Sequence, residues 1–273
     1  GNKMKKKKIS KILGFIFVFL LILAFFFFPL NKYIEKPGGI VNLSTLVKVD
    51  QKKDTEKGSF SLTYVTFQQA SCYQLLRAHF EPYWDELSYE DVLGGSSNQE
   101  SYDFLQNYYF QNAQQMAVYN AFKAAHQEVD IAFKGLYVLD FAENTKAKKL
   151  LKVGDIITAV DNLKLENTLT LYNILKTKKP GDELTLSVTR KKENYTIQVP
   201  LIKDKQNQMK IGIIIGSAID MKTSKKVKFD AEGFGGPSAG LMFTLEIYEQ
   251  LTKENIRHGQ KIAGTGTMDE LGN

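Results

Sequence analysis

The most prominent feature of the hydropathy pattern is an apolar run from Ile9 to Leu30, interrupted only by Ser10 and Lys11. The run carries no charge after Lys11, and a helix of about 20 such residues crosses a bilayer. It ends without the small-residue cleavage site that a secretory signal needs. Residues 9–30 are therefore predicted to form an uncleaved transmembrane signal anchor, with a cleaved signal peptide as the alternative.

Beyond the anchor, stretches with a hydrophobic period of two residues alternate with stretches of helical period, which predicts an α+β fold. Strict alternation over residues 59–67 predicts a half-buried strand, and the long run without Gly or Pro over 99–127 predicts a helix. The remaining expectations are strands over 46–50, 209–216, 227–230 and 261–269, helices over 75–86 and 241–251, and a loop over 92–98.

The middle of the chain has a denser pattern of short strands and turns. Phe133-Lys134-Gly135-Leu136-Tyr137-Val138 predicts a tight turn entering a strand. Val153-Gly154-Asp155-Ile156-Ile157 predicts a second turn and strand, and Pro180-Gly181-Asp182 a third turn. A short helix is expected over 168–178, and a hairpin over 184–190 and 195–199.

This order resembles a bacterial PDZ domain covering about residues 126–202. The resemblance implies that Lys134, Gly135, Leu136 and Tyr137 shape a loop that receives a chain terminus through backbone N–H groups. A bound peptide would then add to the sheet as a strand. The alternative is a small β-rich domain that serves only as a spacer.

Charge narrows the possible partners. The chain has 273 residues, enough for about two domains, and a formal net charge of +6. All of that surplus lies before residue 31, so the remainder is neutral and no nucleic-acid partner is expected. By the positive-inside rule the basic tail, residues 1–8, stays in the cytoplasm, and the chain after the anchor lies outside the cell membrane.

Several residue types that often carry chemistry have simpler explanations here. His79, His126 and His258 are far apart and lack metal-ligand spacing, so neither a metal nor a cofactor is predicted. Cys72 is the only cysteine, which excludes an intrachain disulfide, and it is expected to be a small packed residue. The only tryptophan, Trp84, is expected to pack in a core or between domains together with Phe80 and Tyr83.

The strongest candidate for chemistry is Gly235-Gly236-Pro237-Ser238-Ala239-Gly240, which precedes an amphipathic helix. Pro237 suits the first helical position, so Ser238 is expected among the unpaired N–H groups of a helix start. Such a place can stabilise an oxyanion beside a nucleophile. The alternative is an ordinary helix start without chemistry.

With Ile262-Ala263-Gly264-Thr265-Gly266 and Asp269-Glu270-Leu271-Gly272, this segment resembles the membrane-anchored, PDZ-containing Lon-like Ser/Lys proteases of Gram-positive bacteria. The streptococcal members that process a competence pheromone are the most similar. The resemblance implies a PDZ domain inserted in a Lon-type protease domain. Residues 46–125 would be the N-terminal part of that domain, 203–273 its incomplete catalytic segment, and 31–45 a linker.

The same resemblance implies an ATP-independent extracellular serine endopeptidase that cleaves peptides or unfolded secreted proteins, among them a signalling peptide. Ser238 would be the nucleophile, activated by a neutral lysine, and the oxyanion hole would use N–H groups of Gly235, Gly236 or Ser238. The family's catalytic lysine lies beyond the point where this sequence stops, so an inactive fragment is expected. The alternative is a non-catalytic, membrane-tethered PDZ peptide-binding protein.

Overall fold

The computed structural model describes residues 2–52 and 54–273, with side chains from Lys8 onward. The lysine side chains of the predicted basic tail before Lys8 therefore lie outside the described residues. The chain forms two compact units. The first contains the chain up to Ile40 and Thr63–Gly95, and the second contains Val41–Leu62 and the chain from Ser96 to Asn273.

The helices of the described chain are Asn2–Phe27 (α1), Cys72–Ala78 (α2), Tyr89–Leu93 (α3), Gln99–Ala124 (α4), Thr168–Lys176 (α5) and Gly240–Thr252 (α6). The strands are Lys32–Asn42 (β1), Val47–Val49 (β2), Ser59–Gln69 (β3), Asp85–Ser88 (β4), Val129–Phe141 (β5), Ile156–Val160 (β6), Leu163–Lys164 (β7), Glu183–Arg190 (β8), Glu193–Pro200 (β9), Ile202–Lys203 (β10), Met209–Lys210 (β11), Ile213–Thr223 (β12), Val227–Phe229 (β13) and Lys261–Gly264 (β14). The mixture of helices and sheets confirms the α+β expectation.

In the first unit, α1 contains the predicted apolar run from Ile9 as far as Phe27 and ends two residues before Pro29, so the last three residues of the predicted anchor, 28–30, lie beyond the helix. Among the described residues it is the one helix long and apolar enough to span a membrane, over the 20 residues Lys8–Phe27. No part of this stretch is buried against the protein. A membrane span and a signal sequence both have this character.

The remainder of the first unit differs in detail from the predicted elements. The segment expected as a linker contains β1, which pairs antiparallel with β4. The helix expected over 75–86 is shorter, because α2 begins at the Ser71 capping box and ends at Ala78 before Pro82. Part of the expected loop over 92–98 belongs to α3, which ends at Gly94 in the left-handed conformation.

Two expectations about packing in the first unit are wrong. Cys72 is exposed as the first residue of α2. Phe80 and Tyr83 are 75% and 74% exposed, although an aromatic cluster of this kind normally buries its rings. Trp84 is half-buried, between the cationic groups of Lys36 and Arg77 at 4.8 Å from each. The physical reason for the error is that aromatic residues close together in the sequence do not reveal whether another segment packs over their rings.

The second unit has two hydrophobic cores. In the first of them, α4 packs on α6, and the short antiparallel pair β2–β13 and the start of β3 complete the layer. The predicted long helix is confirmed as α4, with Met116 and Phe122 buried and Phe104, Tyr108 and Tyr119 half-buried. β14 pairs in parallel with β3, from Lys261 opposite Ser59 to Gly264 opposite Leu62.

The second core lies under a sheet with strand order β12-β5-β6-β8-β9, to which β7 adds beside β6. The predicted hairpin is confirmed as β8–β9, and α5 is the predicted short helix. Asp155, from the predicted turn, is buried and receives two hydrogen bonds of 2.7 Å from Arg190. The carboxylate also accepts a bond from the Lys152 N–H, so it fixes the turn to the end of β8.

A buried charge cluster connects α6 to the loop before β3. Arg257 is fully buried, and its Nη2 lies 2.7 Å from Asp54 Oδ2. Its Nη1 lies 2.9 Å from Glu249 Oε2, outside hydrogen-bond geometry, and 3.8 Å from Glu246 Oε2. The guanidinium also donates to the carbonyls of Glu56 and Lys57. Because three carboxylates share one cation, the cluster favours protonation of one of them.

Glu246→Gln is predicted to make stability less dependent on pH. Burial raises the pKa of Glu246 from 4.5 to about 7, so the folded state holds this proton more tightly than the unfolded chain does. The resulting stabilisation is complete below about pH 4.5 and is lost as the pH rises through about 7, on the order of 3 kcal/mol. The free energy of unfolding, measured in mild detergent on both sides of this window, should therefore fall more for the native chain than for the variant.

The control is Glu232→Gln, because Glu232 is exposed. This variant should keep the native pH dependence. An identical pH dependence of the native chain and Glu246→Gln would contradict the assignment of this proton to Glu246.

Candidate functional site

The second unit's larger sheet has two edge strands, β12 and β9, and β12 is the one that lies beside helix α5. Its inner edge pairs with β5 from Ile213 opposite Phe141 to Thr223 opposite Val129. Within the described part of the chain no strand pairs with the outer edge. Alternate N–H and C=O groups along that edge are therefore available to an added strand.

Helix α5 forms the opposite wall of a groove along this edge. At the start of β12, Ile213 and Ile215 face Leu171, Tyr172 and Leu175 across a cavity of about 610 Å³. Farther along β12, Ser217 and Ile219 face the first residues of α5 across a second cavity of about 450 Å³. We call the space between β12 and α5 the strand–helix groove.

The groove has a mixed lining at the end where β12 begins. Its apolar floor is bordered by Lys203, Lys205 and Lys210, with Asp204 and Glu143 as the acidic residues. The charges sum to +1 by this count (three cations against two anions). Lys210 Nζ lies 3.7 Å from Asp204 Oδ2, a distance at which an exposed ion pair is weak. This end therefore combines an apolar pocket with a modest excess of positive charge.

The turn that leads into β12 is closely held. The Thr145 hydroxyl donates to the Ile211 carbonyl at 2.8 Å, and the Ala142 N–H donates to the Gly212 carbonyl at 3.0 Å. Gly212 has φ +80°, and a Cβ there would lie 2.6 Å from Thr145 Oγ1 and 2.8 Å from Ile202 Cδ1. Only glycine fits this position without movement of its neighbours.

The residues predicted to receive a peptide lie elsewhere. Lys134, Gly135, Leu136 and Tyr137 are inside β5, and not in a loop as expected. Gly135, Leu136 and Tyr137 pair with β12 on one side, and Leu136 and Tyr137 also pair with β6 on the other. A strand paired on both sides cannot accept a third, so the edge available for strand addition is that of β12.

Gly135 has a packing role in this position. A Cβ there would overlap the carbonyl of Ile157, so glycine allows β5 to approach β6. Lys134 is exposed and lies 3.8 Å from Asp220. Lys210-Ile211-Gly212-Ile213 repeats the apolar–Gly–apolar pattern that drew attention to Gly135. This second apolar–Gly–apolar pattern is the feature of the sequence that could have predicted the position of the groove.

Ser238 lies in an exposed turn before α6. The helix begins at Gly240, so Pro237 is not its first residue as expected, and Ser238 stands two residues before the helix. The cause is a contact that the local sequence pattern does not reveal: the Gly266 N–H donates to the Ser238 carbonyl at 2.7 Å, which removes that carbonyl from the helix ladder. The Thr265 hydroxyl donates to the same oxygen at 2.9 Å.

The turn is fixed at both ends. Leu241 N–H donates to the Gly266 carbonyl at 2.9 Å, and Gly236 N–H donates to the Gln106 carbonyl at 3.1 Å. A Cβ on Gly240 would lie 2.9 Å from Met268 N. The segment after β14 is therefore packed directly against the turn that carries Ser238.

Some polar groups of the Ser238 turn already make hydrogen bonds within the protein, and others do not. The Gly236 N–H is bonded to Gln106 and is not free to stabilise an oxyanion in this conformation. In the described part of the chain, the Ser238 hydroxyl and the N–H groups of Gly235, Ser238 and Ala239 make no hydrogen bond, and no lysine bonds to Ser238. The turn thus presents a hydroxyl and backbone donors without a base.

Comparison with known proteins identifies the middle of the chain. The family model of the PDZ domain matches residues 104–201, from α4 to the end of β9. No curated protein matches the chain significantly. The chain therefore contains a PDZ domain.

Similar solved structures are PDZ domains of SdrC-like proteins. One is from Listeria monocytogenes (24% identity, 32% of this chain, 92% of that chain, TM-score 0.30). Another is from Listeria innocua (28% identity, 30% of this chain, 92% of that chain, TM-score 0.29). A protein from Geobacillus thermodenitrificans is also similar (24% identity, 30% of this chain, 95% of that chain, TM-score 0.28).

Gly212→Ala is predicted to destabilise the second unit more than Gly181→Ala does. Both glycines have positive φ, +80° and +94°, so each alanine incurs a backbone penalty of about 1–2 kcal/mol. Only at Gly212 would the new Cβ also meet Thr145 and Ile202, whereas nothing described lies within 4 Å of a Cβ at Gly181. Thermal unfolding of the two variants compares the losses. Equal losses would show that the turn before β12 is not closely held.

Proposed function

We propose that the chain is a membrane-tethered protein whose PDZ domain binds peptides in the strand–helix groove. The observation that carries this proposal is the unpaired edge of β12 facing α5 across an apolar cavity. An extended peptide laid along Ile213–Ile219 would gain main-chain hydrogen bonds, and alternate side chains would enter the groove. About 20 Å of strand is available over this stretch.

The direction of the peptide follows from the ends of the groove. The pocket at the start of β12 is apolar and bordered by more cations than anions. A peptide that ends there with an apolar residue and a free carboxylate would satisfy both features. The carboxylate would interact with N–H groups of the Gly212 turn and with the nearby lysines.

Binding is expected to require the free carboxylate. A short fluorescein-labelled peptide ending in leucine should lose about tenfold in affinity on C-terminal amidation, because one charge-assisted hydrogen bond is worth about 1.5 kcal/mol or more. Ile215→Ser should also weaken binding, since Ile215 lines the pocket. Fluorescence anisotropy with the full chain in mild detergent measures both effects.

Ile214→Ser is the matched control. Ile214 neighbours Ile215 on β12 but is exposed and lies outside the cavity lining. Its variant should bind the peptide as the native chain does, and thermal unfolding checks that both variants are folded. Equal affinity of Ile214→Ser and Ile215→Ser variants, or of the acid and amide peptides, would refute the groove assignment.

A second proposed function is peptide hydrolysis at Ser238. It is supported by an exposed, unbonded hydroxyl beside unbonded N–H groups on a closely held turn. With a lysine as base to take its proton, Ser238 Oγ would attack the peptide carbonyl, and N–H groups of Gly235, Ser238 or Ala239 would stabilise the oxyanion. The C–N bond would then break, the amine would leave with the proton from the lysine, and water would hydrolyse the resulting ester to release the acid and free Ser238. We propose, in line with the Lon-like resemblance, an ATP-independent endopeptidase with a Ser/Lys dyad.

The location that suits this function is the outer face of the cell membrane. Lys3, Lys5, Lys6, Lys7 and Lys8 precede the apolar run, and the positive-inside rule would keep them in the cytoplasm. Both units would then lie outside, where peptides and unfolded secreted proteins, including signalling peptides, are accessible.

Ser238→Ala is predicted to abolish cleavage without weakening peptide binding. The measurement is release of a fluorescent fragment from an internally quenched peptide by the full-length protein in mild detergent. Loss of the nucleophile should lower the rate by at least about 1,000-fold. The control is Ser224→Ala, a serine outside the turn, which should cleave normally. Unchanged cleavage by Ser238→Ala would exclude Ser238 as the nucleophile.

A further inference from the structure

The first unit carries an exposed aromatic surface next to the end of α1. We call it the aromatic patch: Leu76, Phe80, Tyr83 and Trp84. Leu76, Phe80 and Tyr83 are 54%, 75% and 74% exposed. Large apolar groups clustered on a surface in this way mark a contact with another protein or with a membrane.

The patch is tied to the exit of the apolar helix. The rings of Phe26, in the last turn of α1, and Tyr73, in α2, lie 4.9 Å apart between centroids. Just beyond the helix, the Leu30 N–H donates to the Ala70 carbonyl at 2.8 Å, and the Gln69 side chain donates to the Leu30 carbonyl at 3.0 Å. α2 therefore starts beside the point where the chain leaves the apolar run.

The length of α1 places that point at a bilayer boundary. The 20 residues Lys8–Phe27 span about 30 Å, which is the thickness of the hydrocarbon layer. Phe26 then lies where hydrocarbon meets headgroups. Segments that pack against Phe26, including α2, therefore lie at or near the boundary between hydrocarbon and headgroups.

The chemistry of the patch fits this level. Tryptophan and tyrosine are enriched at the membrane interface, because their rings are apolar and carry one polar group. Lys36 and Arg77 flank the Trp84 ring at 4.8 Å. The Arg77 guanidinium is paired with Glu81 at 3.0 Å, so Lys36 is the cation that would extend toward lipid phosphates while its stem stays on apolar surface. Such a contact would also bury the Phe80 ring, which is 75% exposed.

We propose that the aromatic patch is a second membrane contact, which inserts into the interfacial layer of the bilayer spanned by α1. This inference rests on the proposed tether. It implies that the first unit lies on the membrane surface, held at two points, with α1 as the anchor and α2 and the Phe80–Trp84 turn as the interfacial contact.

Trp84 provides the test, since it is the only tryptophan of the chain. The full chain is reconstituted in phosphatidylcholine vesicles whose lipids carry bromine either near the headgroup or near the chain end. Bromine near the headgroup should quench Trp84 more strongly than bromine near the chain end. Aqueous iodide should quench it much less in vesicles than in the unfolded chain.

Two double variants separate the patch from general surface effects. Phe80→Ser with Tyr83→Ser should reduce quenching by the brominated lipids severalfold and increase quenching by iodide. Leu163→Ser with Tyr195→Ser removes exposed apolar groups from the second unit and should leave both unchanged. Equal behaviour of the two double variants would overturn the proposal.

Alkaline extraction distinguishes the patch from the anchor. If the chain resists extraction but brominated lipids do not quench Trp84, the patch faces water, and the inference is wrong while the tether stands. If alkali extracts the chain, the tether and the inference both fail. Protection of Trp84 from iodide in lipid-free detergent, increasing with protein concentration, would assign the patch to a second copy of the chain instead of to lipid.

Discussion

The buried guanidinium of Arg257 holds together the segment that leads into β14 and the loop before β3. Arg257 lies between the end of α6 and β14, and its partners Asp54, Glu56 and Lys57 immediately precede β3. By joining these two segments, the ion cluster sets the start of β14 beside the start of β3, where the two strands pair in parallel. The next residues of the chain then reach the Ser238 turn. Because desolvated charges are costly unless paired, removal of one partner would leave the others uncompensated.

The PDZ sheet is organised by a similar use of buried carboxylates. Asp155 is bound by Arg190, and Asp140 accepts hydrogen bonds from the N–H and hydroxyl of Ser97. Burial opposes ionisation of Asp140, but these bonds and that from the Phe141 N–H hold its pKa below the ordinary value. Each carboxylate fastens a loop to a strand end.

A single strand connects the two proposed activities. The first part of β12 packs Ile213 and Ile215 on the core beneath the PDZ sheet, and its later residue Met221 packs on the core that contains α6. A peptide that adds to the outer edge of β12 would therefore bond to a strand that continues into the core beneath α6. This continuity would give the proposed binding and the proposed cleavage a shared support within the second unit.

The sequence by itself determined the apolar helix, the long helix α4 and the β8–β9 hairpin, because each depends on local hydrophobic period and turn residues, and the order of its strands and turns resembled a PDZ domain. Only the tertiary structure decided which strand beside a glycine lies at a sheet edge. Gly135 and Gly212 stand in similar apolar surroundings, but β5 is paired on both sides and β12 on one. Likewise, exposure of Phe80 and Tyr83, and the shift of the helix start to Gly240, follow from contacts between segments distant in sequence. Such contacts have no periodic signature along the chain.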